Sequence, residues 1–376
     1  MINKTETTQA PSSVGMVETQ LFHAASPLAL ESGQTLAPIT LAYETYGTLN
    51  ADKSNAILVL HALSGDAHAA GYHAVKDMGP WWDMMIGPGK ALDTTRYFIV
   101  CSNVIGGCMG SSGPQSTNPA TGAPYAMDFP IITIGDMVNA QRLLMDYLTI
   151  PRWCAVAGGS MGGMQALQWA VAYPELVERC IPIATTHRLS AQSIAFNAVG
   201  RTAIMHDPHW QCGNYYGKKI PANGLSTARM IAHITYLSEQ SMHEKFGRSL
   251  RNADAYTWNF DPEFSVETYL AYKGDSFVKR FDANSYLYIT KAMDYFDLGA
   301  RAGSLVHAME GVTARFLVMS FSSDWLFPTT QSRELVRALR LSGGDVSFME
   351  VESPHGHDAF LLEADEITKL IKGFMR

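Results

Sequence analysis

Hydrophobic residues follow two rhythms along this chain. Over residues 21–47 they alternate with polar ones in short segments, as in 40–46, which predicts antiparallel strands with one covered face. From residue 55 the apolar runs are continuous: 55–61, 97–101, 153–157, 180–184, 316–320 and 346–351. Runs of strand length without alternation predict strands covered on both faces. Helical periods lie between several of them. Asp136 is placed to cap a helix running through Leu148, with Met137, Ala140, Leu143, Leu144 and Tyr147 on one face. A second helix spans 161–173 and stops at Pro174, and a third spans 332–341. Strands that alternate with helices predict right-handed crossovers and a mostly parallel sheet, so the fold class is α/β.

Residues 186–300 break this rhythm. Helical segments at 190–203, 225–238 and 267–272 dominate, and no buried-strand run stands out. The predicted organisation is a disordered tail at 1–17, an α/β core at 18–185 and 301–376, and a helical lid inserted at 186–300. Composition narrows the possibilities. With 47% hydrophobic and 17% charged residues the chain has ample material for a core. A net charge of −7 without basic runs argues against nucleic-acid and anionic-membrane partners. Five cysteines without CxxC pairs argue against a disulfide framework and a structural zinc site, and they fit a cytoplasmic compartment. The polar N-terminus has no signal-peptide core, and the longest tempting apolar stretch, 56–63, is strand-sized and contains His61.

The sharpest chemical signal is GGSMGG at 158–163, which contains G-x-S-x-G after a buried-strand run and before a helix. On such a turn Ser160 is forced into strained dihedrals and presented at the sheet edge, and small neighbours at Gly158 and Gly162 avoid clashes. A serine hydroxyl needs a base, and the base needs an orienting acid. Both are expected later in the chain, each after a strand. Asp324 follows the 316–320 run, and His355 and His357 compete as bases after 346–351; the intact Gly-His-Asp context favours His357. An oxyanion hole calls for two backbone N–H groups, assigned to Met161 and to Leu63 in the loop after 55–60. His68, His73, His355 and His357 have no metal-ligand spacing, so no metal is expected.

At these residues the chain resembles the homoserine O-acyltransferases of the α/β-hydrolase class. The motifs are LAYETYG at 41–47, HALSGD at 61–66, NVIGGCMGSSGP at 103–114, GGSMGG at 158–163, ARM at 228–230 with TY at 235–236, and GHDAF at 356–360. The resemblance implies a ping-pong transfer in methionine biosynthesis. Ser160 takes an acyl group from acyl-CoA, a co-substrate, and passes it to the hydroxyl of L-homoserine, without any cofactor. By resemblance Arg229 binds the acceptor's carboxylate, Asp358 its ammonium, Tyr236 lines the pocket, and the lid supports a homodimer. His355 stands where the family usually has tyrosine. The stretches 189–196, 279–286 and 323–326 look closest to the succinyl-transferring subgroup, so succinyl-CoA is the expected donor, with acetyl-CoA the alternative and Trp325 the residue expected to shape the acyl pocket. Serine O-acyl transfer and carboxylester hydrolysis are the remaining readings on this scaffold.

Overall fold

The continuous apolar runs become strands, and all but 346–351 are covered from both sides. A computed structural model describes residues 12–74, 79–251 and 255–376. Its strands are β1 (Gln20–Ala24), β2 (Leu28–Ala29), β3 (Thr35–Leu36), β4 (Ile39–Tyr46), β5 (Ala56–Leu60), β6 (Phe98–Ser102), β7 (Ala155–Gly159), β8 (Arg179–Ile183), β9 (Arg315–Phe321) and β10 (Val346–Val351). Eight of them form one sheet in the order β1-β4-β6-β5-β7-β8-β9-β10, and β2 and β3 form a separate hairpin. The sheet is parallel from β6 to β10, with β4 and β1 added antiparallel at one edge.

Leu58, Leu60 and Val156 point into one hydrophobic layer, together with Met137, Leu144 and Leu167. Ile57, Val59, Ala155 and Ala157 point into the other, with Trp82, Met85, Ile367 and Ile371. The first layer is built by helices α1 (Ile134–Tyr147) and α2 (Met161–Ala172), and the second by the C-terminal helix that ends the chain.

Several expectations shift. α1 is capped by Thr133, not Asp136: the Thr133 Oγ1 accepts the Asp136 N–H at 3.1 Å, and the Asp136 carboxylate accepts the Thr133 N–H at 2.9 Å. β10 is not covered on both faces. It is the sheet edge, with Ser347 and Met349 exposed. Of the predicted tail, residues 1–11 lie outside the described residues, while 12–17 are docked. The Val17 N–H donates to the Tyr72 carbonyl, and the Tyr72 N–H to the Gly15 carbonyl.

Among the described residues six α-helices fill the region between β8 and β9: α3 (Ala191–Met205), α4 (Ala222–Tyr236), α5 (Glu239–Phe246), α6 (Ser265–Val278), α7 (Ala283–Asp294) and α8 (Leu305–Met309). α9 (Thr329–Leu341) follows β9, and α10 (Ala364–Phe374) follows β10. α3 to α7 sit over the C-terminal ends of the strands, tied down by bonds such as Tyr288 Oη to the Met127 carbonyl (3.0 Å) and Ser193 Oγ to the Leu326 carbonyl (3.3 Å). Among the described residues no helix is long and apolar enough to cross a membrane.

Candidate active site

β7 ends at Gly159 and α2 begins at Met161, so Ser160 occupies the whole turn between them. Its backbone is held at φ 58° and ψ −124°, a conformation that side-chain-bearing residues rarely adopt. The surroundings over-determine it. The Ser160 N–H donates to the Ile183 carbonyl, and the Ser160 carbonyl accepts the Gly163 and Met164 N–H groups and the Thr185 hydroxyl (2.7 Å). The turn is tight enough to require glycine: a Cβ at Gly158 would lie 2.6 Å from the Gly162 carbonyl carbon. Ser160 is 7% exposed, beneath side chains of α3, α4 and α7.

His357 and Asp324 complete the set. His357 lies in a short 3-10 turn after β10, and Asp324 in the turn after β9. The Ser160 Oγ–H donates to His357 Nε2 at 2.8 Å, and His357 Nδ1–H donates to Asp324 Oδ2 at 2.8 Å. The other carboxylate oxygen, Oδ1, accepts the Leu326 and Phe327 N–H groups at 3.0 Å each. Both of its oxygens therefore have donors, and the carboxylate can point only one way. Burial works against a charged His357, but the charge and hydrogen bond of Asp324 and the charge of Asp358 outweigh it, so the imidazole pKa lies above its ordinary 6.5. His355 faces away, with its side chain 40% exposed and Nε2 3.8 Å from Glu363, so of the two histidines it is His357 that bonds to Ser160. Gly356 sits between them at φ +68°, where a Cβ would lie 2.5 Å from the Ser238 nitrogen and 2.7 Å from the Tyr236 carbonyl oxygen. The base-bearing turn is thereby packed directly on the end of α4.

Among the described residues neither the Leu63 nor the Met161 N–H donates to a protein acceptor. Leu63 lines the same pocket as Ser160. Its loop is anchored by a residue the sequence did not single out: His61 donates Nδ1–H to the Ala62 carbonyl (2.7 Å) and accepts the Val104 N–H on Nε2 (3.1 Å), so the ring is neutral and fixed. Complete burial also pushes its pKa down.

α4 carries Arg229, His233 and Tyr236 along one face. Tyr236 lies 5.9 Å from the His357 ring, and the Arg229 guanidinium lies 5.4 Å from the Tyr236 ring. Arg229 is buried, and among the described residues its Nη1 has no partner. Burial raises the Asp358 pKa, against the pull of His357, Arg229, Lys273 and Lys245. Among the described residues both His233 ring nitrogens are buried without partners, and burial together with the surrounding cations pushes its pKa to about 3. Trp325 does not line the serine pocket. Its indole N–H donates to the Leu237 carbonyl at 2.9 Å and its ring packs edge-on against Phe196, which does line it. Away from this site, Glu44, His68 and His73 bring ligand-type atoms within 4.8 Å of one another. The buried Glu44 carboxylate there accepts from Thr19, Tyr46, His68 and His73 at 2.8 to 3.0 Å.

The chain matches the model of the α/β-hydrolase fold over residues 55–364. It is 58% identical over 363 residues to the homoserine O-acetyltransferase of Methanohalobium evestigatum, covering 96% of this chain and 74% of that one. It is 55% identical to the homoserine O-acetyltransferase of Desulfotalea psychrophila, covering 96% and 95%. In three dimensions it is similar to the homoserine O-acetyltransferase of Bacillus anthracis (TM-score 0.90, 32% identity, 96% and 98% covered) and to esterase E22 (TM-score 0.88, 31% identity, 96% and 100% covered). A serine, a histidine and an aspartate aligned on such a sheet, together with this level of identity over nearly the full chain, place it in a single group: the chain belongs to the homoserine O-acyltransferase family of α/β-hydrolases.

Proposed function

We propose that the chain is a homoserine O-acetyltransferase that works through an acetyl-Ser160 intermediate. One observation carries this reading: the 2.8 Å bond from the Ser160 hydroxyl to His357 Nε2, on a serine held at φ 58°. In the first half-reaction His357 Nε2 takes the Ser160 proton as Oγ attacks the thioester carbonyl carbon of acetyl-CoA. The Leu63 and Met161 N–H groups hold the developing oxyanion. The C–S bond then breaks, and Nε2–H protonates the departing thiolate. In the second half the same nitrogen takes the homoserine hydroxyl proton, the alkoxide attacks the acetyl carbon, and the proton returns to Ser160 Oγ as the ester bond to the enzyme breaks. Asp324 keeps the Nδ1–H tautomer throughout. Arg229 receives the acceptor carboxylate, Asp358 the ammonium, and Tyr236 forms the wall between them and His357.

The acetyl donor replaces the expected succinyl donor for two reasons. The curated relatives above carry acetyltransferase names. The pocket around Ser160 is lined mainly by apolar side chains such as Leu63, Leu189, Phe196 and Leu326, with Asn197, Tyr236 and Tyr286, and among the described residues it holds no lysine or arginine to receive a second carboxylate. Ester hydrolysis is the second reading, favoured by the likeness to esterase E22. The low exposure of Ser160 supports transfer over hydrolysis, since an acyl-enzyme shielded from water lasts until the acceptor arrives. The proposal includes a homodimer, for which Trp258 (89% exposed) and Phe260 (108%) in the lid are available apolar surface. Competition between acetyl-CoA and succinyl-CoA, with and without L-homoserine, tests donor and acceptor together. Acetyl transfer that requires homoserine supports the proposal. Faster succinyl transfer overturns the donor, and CoA release that ignores homoserine overturns the acceptor.

A further inference from the structure

We infer that Arg280 is a second guanidinium for the acceptor's carboxylate, a specificity-determining residue that works beside Arg229. The inference rests on the homoserine reading and deepens it. Arg280 lies in the short connection between α6 and α7, inside the 279–286 stretch. Its guanidinium stands 5.2 Å from the centre of the Phe277 ring, and that of Arg229 stands 4.6 Å from the same centre. Two cations thus share one aromatic ring in a partly buried setting. Burial, and then Arg229 itself, disfavours the charge on Arg280.

Among the described residues neither arginine is in an ion pair. Arg229 Nη1 is buried with no partner at all, and Arg280 spends one Nη1 bond on the Ser64 carbonyl at 2.8 Å. Both line one cavity with Ser64, Asp66, Trp81 and Phe360. The carboxylate on that wall, Asp66, raises the Arg280 pKa only as a lesser effect, and its Oδ1 already accepts the His68 N–H at 2.9 Å. The other ionisable groups acting on this space from α4, α5 and α6 are His233, neutral at its pKa of about 3, and Lys245 and Lys273. Asp358 is a further carboxylate that Arg229, Lys273 and Lys245 act on. The chamber is therefore short of an anion, and the place where it is short is the paired guanidinium site. A carboxylate has lone pairs enough to accept a fork from each arginine, whereas one arginine would leave its neighbour's charge uncompensated. Contacts from Arg229 to Tyr236 and from Tyr236 to His357, at 5.4 and 5.9 Å, link the guanidinium pair to the histidine that bonds to Ser160. A neutral Asn, Met or Gln at this position would leave the second fork unfilled, and lysine would supply charge without the fork.

The rival role is purely structural: Arg280 ties the lid to the loop of Leu63 through Ser64. Calorimetric titration in the Ser160→Ala background separates the two, using L-homoserine and 3-aminopropan-1-ol, which is homoserine without its carboxylate. Arg280→Met is expected to weaken L-homoserine about 10- to 100-fold and 3-aminopropan-1-ol less than about 2-fold. Arg280→Lys is expected to restore part of the loss. Equal weakening of both ligands, or unchanged homoserine affinity, overturns the inference. So does a variant that binds homoserine normally but, with Ser160 restored, is acylated more slowly by succinyl-CoA alone, because the carboxylate served would then be the donor's. If the Ser160→Ala protein with Arg280 intact binds no L-homoserine, and the native enzyme releases no CoA in response to it, the homoserine reading itself falls and takes the inference with it.

Discussion

Asp324→Asn should disable the enzyme while leaving its fold in place. The Asp324 side chain is fully buried, with one oxygen accepting the Leu326 and Phe327 N–H groups and the other accepting His357 Nδ1–H. An asparagine has one oxygen and one NH2 group. If its oxygen keeps the two backbone donors, its NH2 faces Nδ1 and that nitrogen must become an acceptor. The imidazole proton then sits on Nε2, the atom that must take the proton from Ser160. The opposite orientation keeps the tautomer but leaves two buried N–H groups against an NH2, at about 1–3 kcal/mol for each unsatisfied group. The first orientation wins, and the base is lost. Acylation should fall about 10³- to 10⁴-fold, equivalent to about 4–5.5 kcal/mol of barrier. Stopped-flow detection of CoA thiol release gives the rate, and the ¹⁵N shifts of His357 report which ring nitrogen carries the proton. A loss of less than about tenfold, or a slowed enzyme that retains the Nδ1–H tautomer, would falsify the assigned role of Asp324.

Other outcomes follow from the same geometry. Arg229→Ala should raise the KM for homoserine about 100-fold while single-turnover acylation by acetyl-CoA changes only a few-fold; equal losses in both half-reactions would remove Arg229 from the acceptor site. The acylation rate should rise with pH to a half-maximum above 6.5, because the raised pKa of His357 must be exceeded before Nε2 is free; a midpoint below 6.5 would contradict the electrostatics of the triad. His233 is held neutral down to about pH 3, whereas an unfolded chain protonates it near 6.5. The native state thus binds fewer protons in that window, and stability is lost as pH falls from about 6.5 toward 3, at up to about 1.4 kcal/mol per pH unit. His233→Phe should flatten this fall in urea midpoints measured at pH 7 and pH 5, and an unchanged slope would refute it. Gly356→Ala should cost about 1–3 kcal/mol of stability through its positive φ, and should slow turnover by lifting the His357 turn off α4; a fully active, equally stable variant would show that this packing does not position the base.

The parts of this molecule that the sequence announces are those whose environment repeats along the chain. β5 and β7 are buried on both faces and read as uninterrupted apolar runs. Ser160 and Asp324 follow such strands, His357 follows the edge strand β10, and the G-x-S-x-G turn has few ways to fold. β10 misled because Phe348 and Met349 sit on an edge where one face is open, and an apolar run does not say which strand ends the sheet. α7 stayed hidden for the opposite reason. It is buried nearly all round, with Asn284, Ser285 and Thr290 inside, so no polar stripe marks its period. The start of α1 moved to Thr133 because a reciprocal cap needs both partners, and Asp136 serves equally well as the inner one. Arg280 lies in the 279–286 stretch that the resemblance linked to the donor, and its place beside Arg229 shows only when the fold brings it to Phe277 and Ser64. The donor is not written in any spacing, because it depends on which charges line a small pocket.

The covalent intermediate is the central claim, and rapid quenching tests it. The enzyme is mixed with acetyl-CoA without acceptor, stopped in acid, digested and mapped by mass spectrometry. One acetyl group should appear on the peptide carrying Ser160, vanish when L-homoserine is added, and fail to form in Ser160→Ala. An acetyl group on another residue, or normal turnover by the alanine variant, would contradict the mechanism.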